Sequence, residues 1–209
     1  MKNVLLMGDS IRLGYDSRVR KLLGDDYNVY SPVENCRYTK YTLWGLFSWM
    51  QVWEHPEIDV VHWNNGIWDL HRCSYKRDVF VTLPEYLETN RRLAGELFHY
   101  CKKLIWATTI PGGRKLDDRI PVDYSMEGDR PNVFLADRTD IWNADVRLYN
   151  KECAEMLSGM GVAIDDLYAE MDGRTEELIS DDGIHPNDAG YDVLAAKVAA
   201  EIRKAAEQI

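Results

Sequence analysis

The 209-residue chain is poor in several of the groups that would mark it for metal, membrane or nucleic acid. Its four cysteines, Cys36, Cys73, Cys101 and Cys153, are widely spaced and contain no C-x-x-C pair. Reduced, mostly buried thiols in a cytoplasmic protein are the simpler expectation. Histidine is also scarce, with five in all. No two stand at H-x-x-x-H spacing, so no metal and no cofactor are expected. His55, His62, His71 and His99 are assigned structural or solvated roles, with His71 near enough to a later motif to reach a pocket rim. No apolar stretch approaches the roughly 20 residues needed to cross a bilayer. The run Val4–Met7 is too short for the apolar part of a secretory signal. Positive charge is short too, with 25 Lys and Arg against 35 Asp and Glu and a net charge of −10. Without a dense basic stripe, nucleic acid and anionic membrane surfaces are not expected partners. Arg18, Arg20 and Lys21 read as a solvated helix face. No repeat, linker or low-complexity stretch divides the chain, so one domain over residues 1–209 is expected, and an oligomer is possible but not indicated.

What is plentiful is aromatic. Seven Trp and twelve Tyr exceed what a core of this size needs, and several are expected to line a groove. Strand-length apolar runs (Val4–Met7, Tyr27–Ser31, Val60–Trp63, Leu104–Thr109, Val162–Asp165) alternate with helical periods. The helical segments are Arg12–Leu23, with Leu13, Val19, Leu22 and Leu23 on its apolar face, then Tyr41–Val52, Leu83–Tyr100, Ile141–Met160 and Asn187–Ile209. Pro84 suits the first turn of the third helix, and Asn187 the cap of the last. Such alternation predicts an α/β protein with a five-stranded parallel sheet covered on both faces, in a three-layer α/β/α sandwich. Pro111–Asp140, with Gly112, Gly113, Gly128 and Pro131, lacks periodicity and reads as a long binding loop or lid.

Two short motifs carry the chemistry. Gly8-Asp9-Ser10 follows the first strand and opens the first helix. Ser10 therefore stands beyond a strand's carboxyl end, where open parallel sheets bind ligands, and its N–H lies at the positive end of a helix. On its own the tripeptide would equally be a helix cap, with Asp9 or Ser10 accepting a backbone hydrogen bond. Asp182-Gly183-Ile184-His185-Pro186 places a carboxylate three residues before an imidazole on a stiffened loop. A serine hydroxyl needs an imidazole to take its proton and a carboxylate to hold that imidazole in the right tautomer. Asp181 competes for the acid role, but Asp182 has the right spacing.

GDS after the first strand, with D-x-x-H-P before the last helix, resembles the SGNH/GDSL hydrolases, which are flavodoxin-like enzymes that cleave acyl esters without a metal. The resemblance extends over most of the chain. It implies Ser10 as nucleophile, His185 as general base and then acid, and Asp182 as the orienting acid. The middle motifs depart from the family's. Its third block is usually G-x-N-D, but here Asn64-Asn65-Gly66-Ile67-Trp68-Asp69 puts Trp68 at the asparagine position. Asn65 is therefore the expected side-chain donor to an oxyanion. The second block, Glu34-Asn35-Cys36-Arg37-Tyr38-Thr39, lacks the usual glycine, so the N–H of Cys36 is expected to join that of Ser10. Asn35, Arg37, Trp68 and Asp9 are the expected substrate contacts. Cys36 as a nucleophile has no base placed beside it.

The implied activity is serine-dependent hydrolysis of an acyl ester, with acetyl on a carbohydrate favoured. Trp44, Trp49, Trp53, Trp63, Trp68 and Trp142 are the candidate sugar-stacking rings, and the expected partner is a small-molecule or oligosaccharide ester. Short-chain lipid esters or thioesters are the nearest alternative, and acyl transfer would use the same residues. A catalytically inactive carbohydrate-binding relative is a different class that the altered middle blocks motivate. A nucleotide-binding flavodoxin-like domain ranks last, because no Gly-rich phosphate loop is present.

Overall fold

The computed structural model describes residues 1–52, 57–73, 78–119 and 138–209. Trp53, His55, Gly128 and Pro131 lie outside them, as does most of the long loop. Five strands, β1 (Lys2–Met7), β2 (Tyr27–Tyr30), β3 (Ile58–Asn64), β4 (Cys101–Ala107) and β5 (Ala163–Asp165), pair in the order β2-β1-β3-β4-β5. All four pairings are parallel. β3 is central and all seven of its residues are buried, whereas edge strand β2 is half-exposed throughout. That contrast is what a sheet covered on both faces produces.

Among the described residues seven helices surround the sheet: α1 (Ser10–Leu23), α2 (Thr39–Val52), α3 (Leu83–Leu97), α4 (Thr139–Gly159), α5 (Leu167–Met171), α6 (Thr175–Leu178) and α7 (Asp188–Ala206). α1 packs on α7, while α3 sits between α2 and α4. The strand-order reversal falls between β1 and β3, so the segments leaving these two strands, 8–10 and 64–69, open onto the same crevice.

Local chemistry explains the boundaries. Asp9 caps α1 by accepting the Ile11 N–H at 2.9 Å, Asn187 caps α7 by accepting that of Gly190 at 3.0 Å, and Glu85 reaches back to the Thr82 N–H before α3. The apolar face expected for α1 needs correction. Leu13 and Leu22 are exposed, and the buried positions are Ile11, Arg12, Tyr15, Val19 and Leu23, mostly four apart. Tyr15 and the buried Arg12 fill places that a count of aliphatic residues misses. Arg12 donates to the Glu34 carbonyl at 2.8 Å, which fastens the loop after β2 against α1.

The basic cluster of α1 is likewise not merely solvated. Arg18 pairs with Asp188 and Asp192 of α7, each at 2.8 Å. Arg20 pairs with Asp16 and donates to the Val29 carbonyl and to Ser31. Among the described residues, no helix is long and apolar enough to cross a membrane.

Candidate active site

Ser10 owes its position to a tight strand-to-helix turn. The chain leaves β1 through Gly8, where a Cβ would lie 1.9 Å from Asn64 Oδ1, so only glycine lets the ends of β1 and β3 approach this closely. Asp9 then turns its side chain inward. It accepts from the Ile11 N–H and, at 3.2 Å, from the Asn64 amide. Ser10 is the first residue of α1, and the N–H groups of a first helical turn have no intrahelical acceptor.

The imidazole arrives from the other end of the chain. Ser180–Pro186 forms a compact turn, with the Ser180 N–H donating to the His185 carbonyl at 2.8 Å. Gly183 makes the turn possible with a φ of 75°. Asp182 Oδ1 accepts the N–H groups of Ile184 (2.8 Å) and His185 (2.7 Å) and the Ser180 hydroxyl (3.0 Å). Its Oδ2 lies 2.6 Å from His185 Nδ1, and His185 Nε2 lies 2.8 Å from Ser10 Oγ. Partial burial works against ionisation of Asp182, but the His185 ring and these N–H groups outweigh it and hold the carboxyl well below its usual range. The His185 side chain is 38% exposed, so the relay opens to solvent on one side. Asp181 points away, exposed and paired with Lys115.

The packing of α1 against α7 keeps the two halves in register. Arg18, about two helical turns beyond the serine, bridges to the first turn of α7, which starts three residues after His185.

The other expected site residues are placed differently. The Cys36 N–H donates to the Gly8 carbonyl at 3.0 Å, and so is already used. The Asn65 amide donates to the Arg37 carbonyl and to Thr42 Oγ1, both at 2.9 Å. Both were expected to face an oxyanion; instead Cys36 ties the loop after β2 to the end of β1, and Asn65 ties that loop and α2 to the end of β3. The physical reason is burial: an unbonded amide here would lose its hydration uncompensated. Burial also pushes the Cys36 thiol up to about 11, which removes it as a nucleophile.

Asp9, expected to touch substrate, is fully buried beneath the serine. Desolvation pushes it up to about 6, against the pull of the Ile11 N–H, the Asn64 amide and the nearby His185 and Arg12. Asp69 is similarly buried and is pushed up to about 7, although it accepts both the N–H and the hydroxyl of Thr39.

Asn35 accepts the Arg37 N–H at 2.7 Å, and Arg37 adopts a left-handed φ of 53°. Its guanidinium lies 4.7 Å from the Tyr41 ring centroid. Trp68 is half-buried and stacks on His71 at 5.0 Å, and burial drives the His71 ring down to about 4. Trp63 and Trp142 are fully buried and cannot stack on a ligand. His62 sits in the core, 2.9 Å from Asp165, and His99 is exposed. Among the described residues no group of His, Cys, Asp and Glu is placed to hold a metal ion.

Sequence reasoning missed Ser180, whose hydroxyl steadies Asp182, and Arg12, which pins the loop after β2. The signal for the first was present in Ser180-Asp181-Asp182-Gly183, a run that favours side-chain-to-backbone turns.

This architecture has solved counterparts. A lipase/acylhydrolase from Enterococcus faecalis superposes with a TM-score of 0.71 at 20% identity, over 98% of this chain and 96% of its own. A member of the lipolytic G-D-S-L family from Veillonella parvula does so with a TM-score of 0.69 at 15% identity, over 98% and 99%. The fold is the GDSL hydrolase fold. An acetylxylan esterase from Geobacillus stearothermophilus shares it as well, at 18% identity, a TM-score of 0.69, and 96% and 94% coverage. No family sequence model matches the chain, and no curated protein sequence is significantly similar to it.

Proposed function

We propose that the protein is a serine-dependent carboxylic ester hydrolase acting through an acyl-enzyme, with acetyl groups on a carbohydrate as its substrate. One observation carries the reading. Ser10, His185 and Asp182 form a continuous relay of 2.8 Å and 2.6 Å, although 175 residues separate the hydroxyl from the imidazole.

In the proposed reaction His185 Nε2 takes the Ser10 proton as Oγ attacks the ester carbonyl. Asp182 keeps Nδ1 protonated and stabilises the imidazolium that forms. The developing oxyanion is met by the Ser10 N–H at the positive end of α1. His185 then protonates the departing alcohol and afterwards activates a water that releases the acid.

The carbohydrate part of the proposal is supported by the acetylxylan esterase among the proteins of the same fold and by the exposed aromatic rings Trp44 and Phe80. A cytoplasmic setting fits the four unpaired thiols.

The test is turnover of p-nitrophenyl acetate by the wild-type protein and by Ser10→Ala, with mapping of the residue labelled by a fluorophosphonate. Turnover that vanishes in Ser10→Ala, with the label on Ser10, is the expected result. Labelling at any other residue would refute the assignment.

A further inference from the structure

A strip of aromatic rings runs from the loop after β2 along the start of α2. It begins in the loop whose Cys36 N–H bonds the carbonyl of Gly8, two residues from the serine. Tyr38, Tyr41 and Trp44 follow at intervals of three, along one side of the start of α2, so each lies about 4.5 Å further along the helix axis. Ring centroids are 6.1 Å apart from Tyr38 to Tyr41 and 5.7 Å from Tyr41 to Trp44. Phe80 meets Tyr38 edge to face, with centroids 5.1 Å apart. Trp44 is 69% exposed and Phe80 49%.

Ordinary surface aromatics would be loosely held, but the middle ring, Tyr41, is braced. The Glu34 carboxylate accepts the Tyr41 hydroxyl at 2.7 Å on one oxygen and the Trp49 indole N–H at 2.8 Å on the other. The Arg37 guanidinium covers one face of Tyr41. Tyr41, fixed in this way, has little rotamer freedom left to lose on binding, which favours association.

We propose that this strip is a subsite for a neutral, polymeric carbohydrate, and that it holds the chain bearing the ester while an acetyl group enters the crevice at Ser10. The inference rests on the hydrolase reading above and adds the size and character of the alcohol. Three observations favour such an occupant. The rings are spaced like successive units of an extended sugar chain, whose C–H faces stack on aromatic rings. The strip is flanked by Glu34, Arg37 and the exposed Lys40, which can satisfy hydroxyl groups but would cost an acyl chain its hydrophobic contact. The protein carries a charge of −10, which disfavours polyanions and anionic lipid. The planes of Tyr38 and Tyr41, and of Tyr41 and Trp44, differ by 44° in each case, so the surface turns along its length and suits a twisting chain better than a flat ribbon.

The experiment uses Trp44→Ala and Phe80→Ala, two exposed positions outside the relay, with p-nitrophenyl acetate and with O-acetylated xylan, mannan and chitin fragments of two and six units. In the wild-type protein KM should fall with chain length for at least one of the three. Each variant should raise that KM roughly two- to tenfold for the six-unit fragment and leave kcat, and turnover of p-nitrophenyl acetate, unchanged. Chain-length independence for all three fragments in the wild-type protein would overturn the proposal. So would an unchanged six-unit KM in both variants, or a wild-type dimer that Trp44→Ala dissociates without altering that KM, since the strip would then be a contact between copies. If p-nitrophenyl acetate is not turned over, yet Ser10→Ala binds six-unit fragments more tightly than Trp44→Ala does, the hydrolase reading fails and the subsite stands.

Discussion

Asp9→Asn tests the electrostatics beneath the nucleophile. Asp9 is fully buried, bonded through one oxygen to the Ile11 N–H and the Asn64 amide, while its second oxygen has no hydrogen-bond partner among the described residues. Burial raises it from 3.8 to about 6, so between these values the folded chain holds a proton that the unfolded chain has released. Stability must therefore fall as pH rises through this window, and above about pH 6 the loss is complete. Two units of displacement at about 1.36 kcal/mol each give a total of about 3 kcal/mol, most of which falls between pH 4 and pH 7.5.

Asparagine can reproduce both accepted bonds with its carbonyl, and it puts an NH2 where the second oxygen was. That buried donor costs about 1–2 kcal/mol at every pH. The variant should be the less stable protein at pH 4 and the more stable one at pH 7.5. Asp69, pushed up to about 7 in part by the charge of Asp9, is present in both proteins, and relief of that repulsion in the variant acts in the same direction. Urea unfolding followed by circular dichroism at half-unit pH steps measures the difference. If it stays constant to within about 0.5 kcal/mol, burial is not what sets the proton affinity of Asp9, and the dry environment inferred beneath Ser10 is wrong.

Asp182→Asn should lower kcat for p-nitrophenyl acetate by roughly 10³–10⁴-fold with little change in KM, because it loses the tautomer control but keeps the shape. A drop of less than tenfold would show that the carboxylate is dispensable. Gly183→Ala puts a Cβ 2.4 Å from the Leu116 backbone nitrogen at a φ of 75°. The turn carrying both Asp182 and His185 should distort, and both activity and melting temperature should fall. An alanine variant with native activity would show that the loop is more pliant than described. The Cys36 thiol, pushed up to about 11 by burial, should resist iodoacetamide at pH 8 in the native protein and react once it is unfolded. Rapid native alkylation followed by mass mapping to Cys36 would contradict its placement.

Much of this architecture is legible without coordinates. The five strands and the five long helices described follow from strand-length apolar runs and from the 3.6 period of the segments between them, and from punctuation such as Pro84 and Asn187, all of which act within a few residues. The relation between Asp182 and His185 is equally local, since one turn of chain sets it. The α1 face shows where such reading fails. Tyr15 and Arg12 are buried because α7, β1 and the loop after β2 close over them, which no periodicity of α1 records. The availability of donors behaves in the same way. The N–H of Cys36 and the amide of Asn65 are chemically able to hold an oxyanion. They are taken by Gly8, Arg37 and Thr42, residues brought together by the parallel pairing of β1 with β3 and by the loop that follows β2. Exposure separates Trp44 from Trp63 and Trp142 for a related reason: a ring's composition is the same in the core and at the surface, and only the packing around it determines whether a ligand can reach it. Local interactions thus wrote the elements and the two end motifs into the chain, while long-range contacts assigned each polar group its partner, because hydrogen-bond capacity is a property of residues and its use is a property of neighbours.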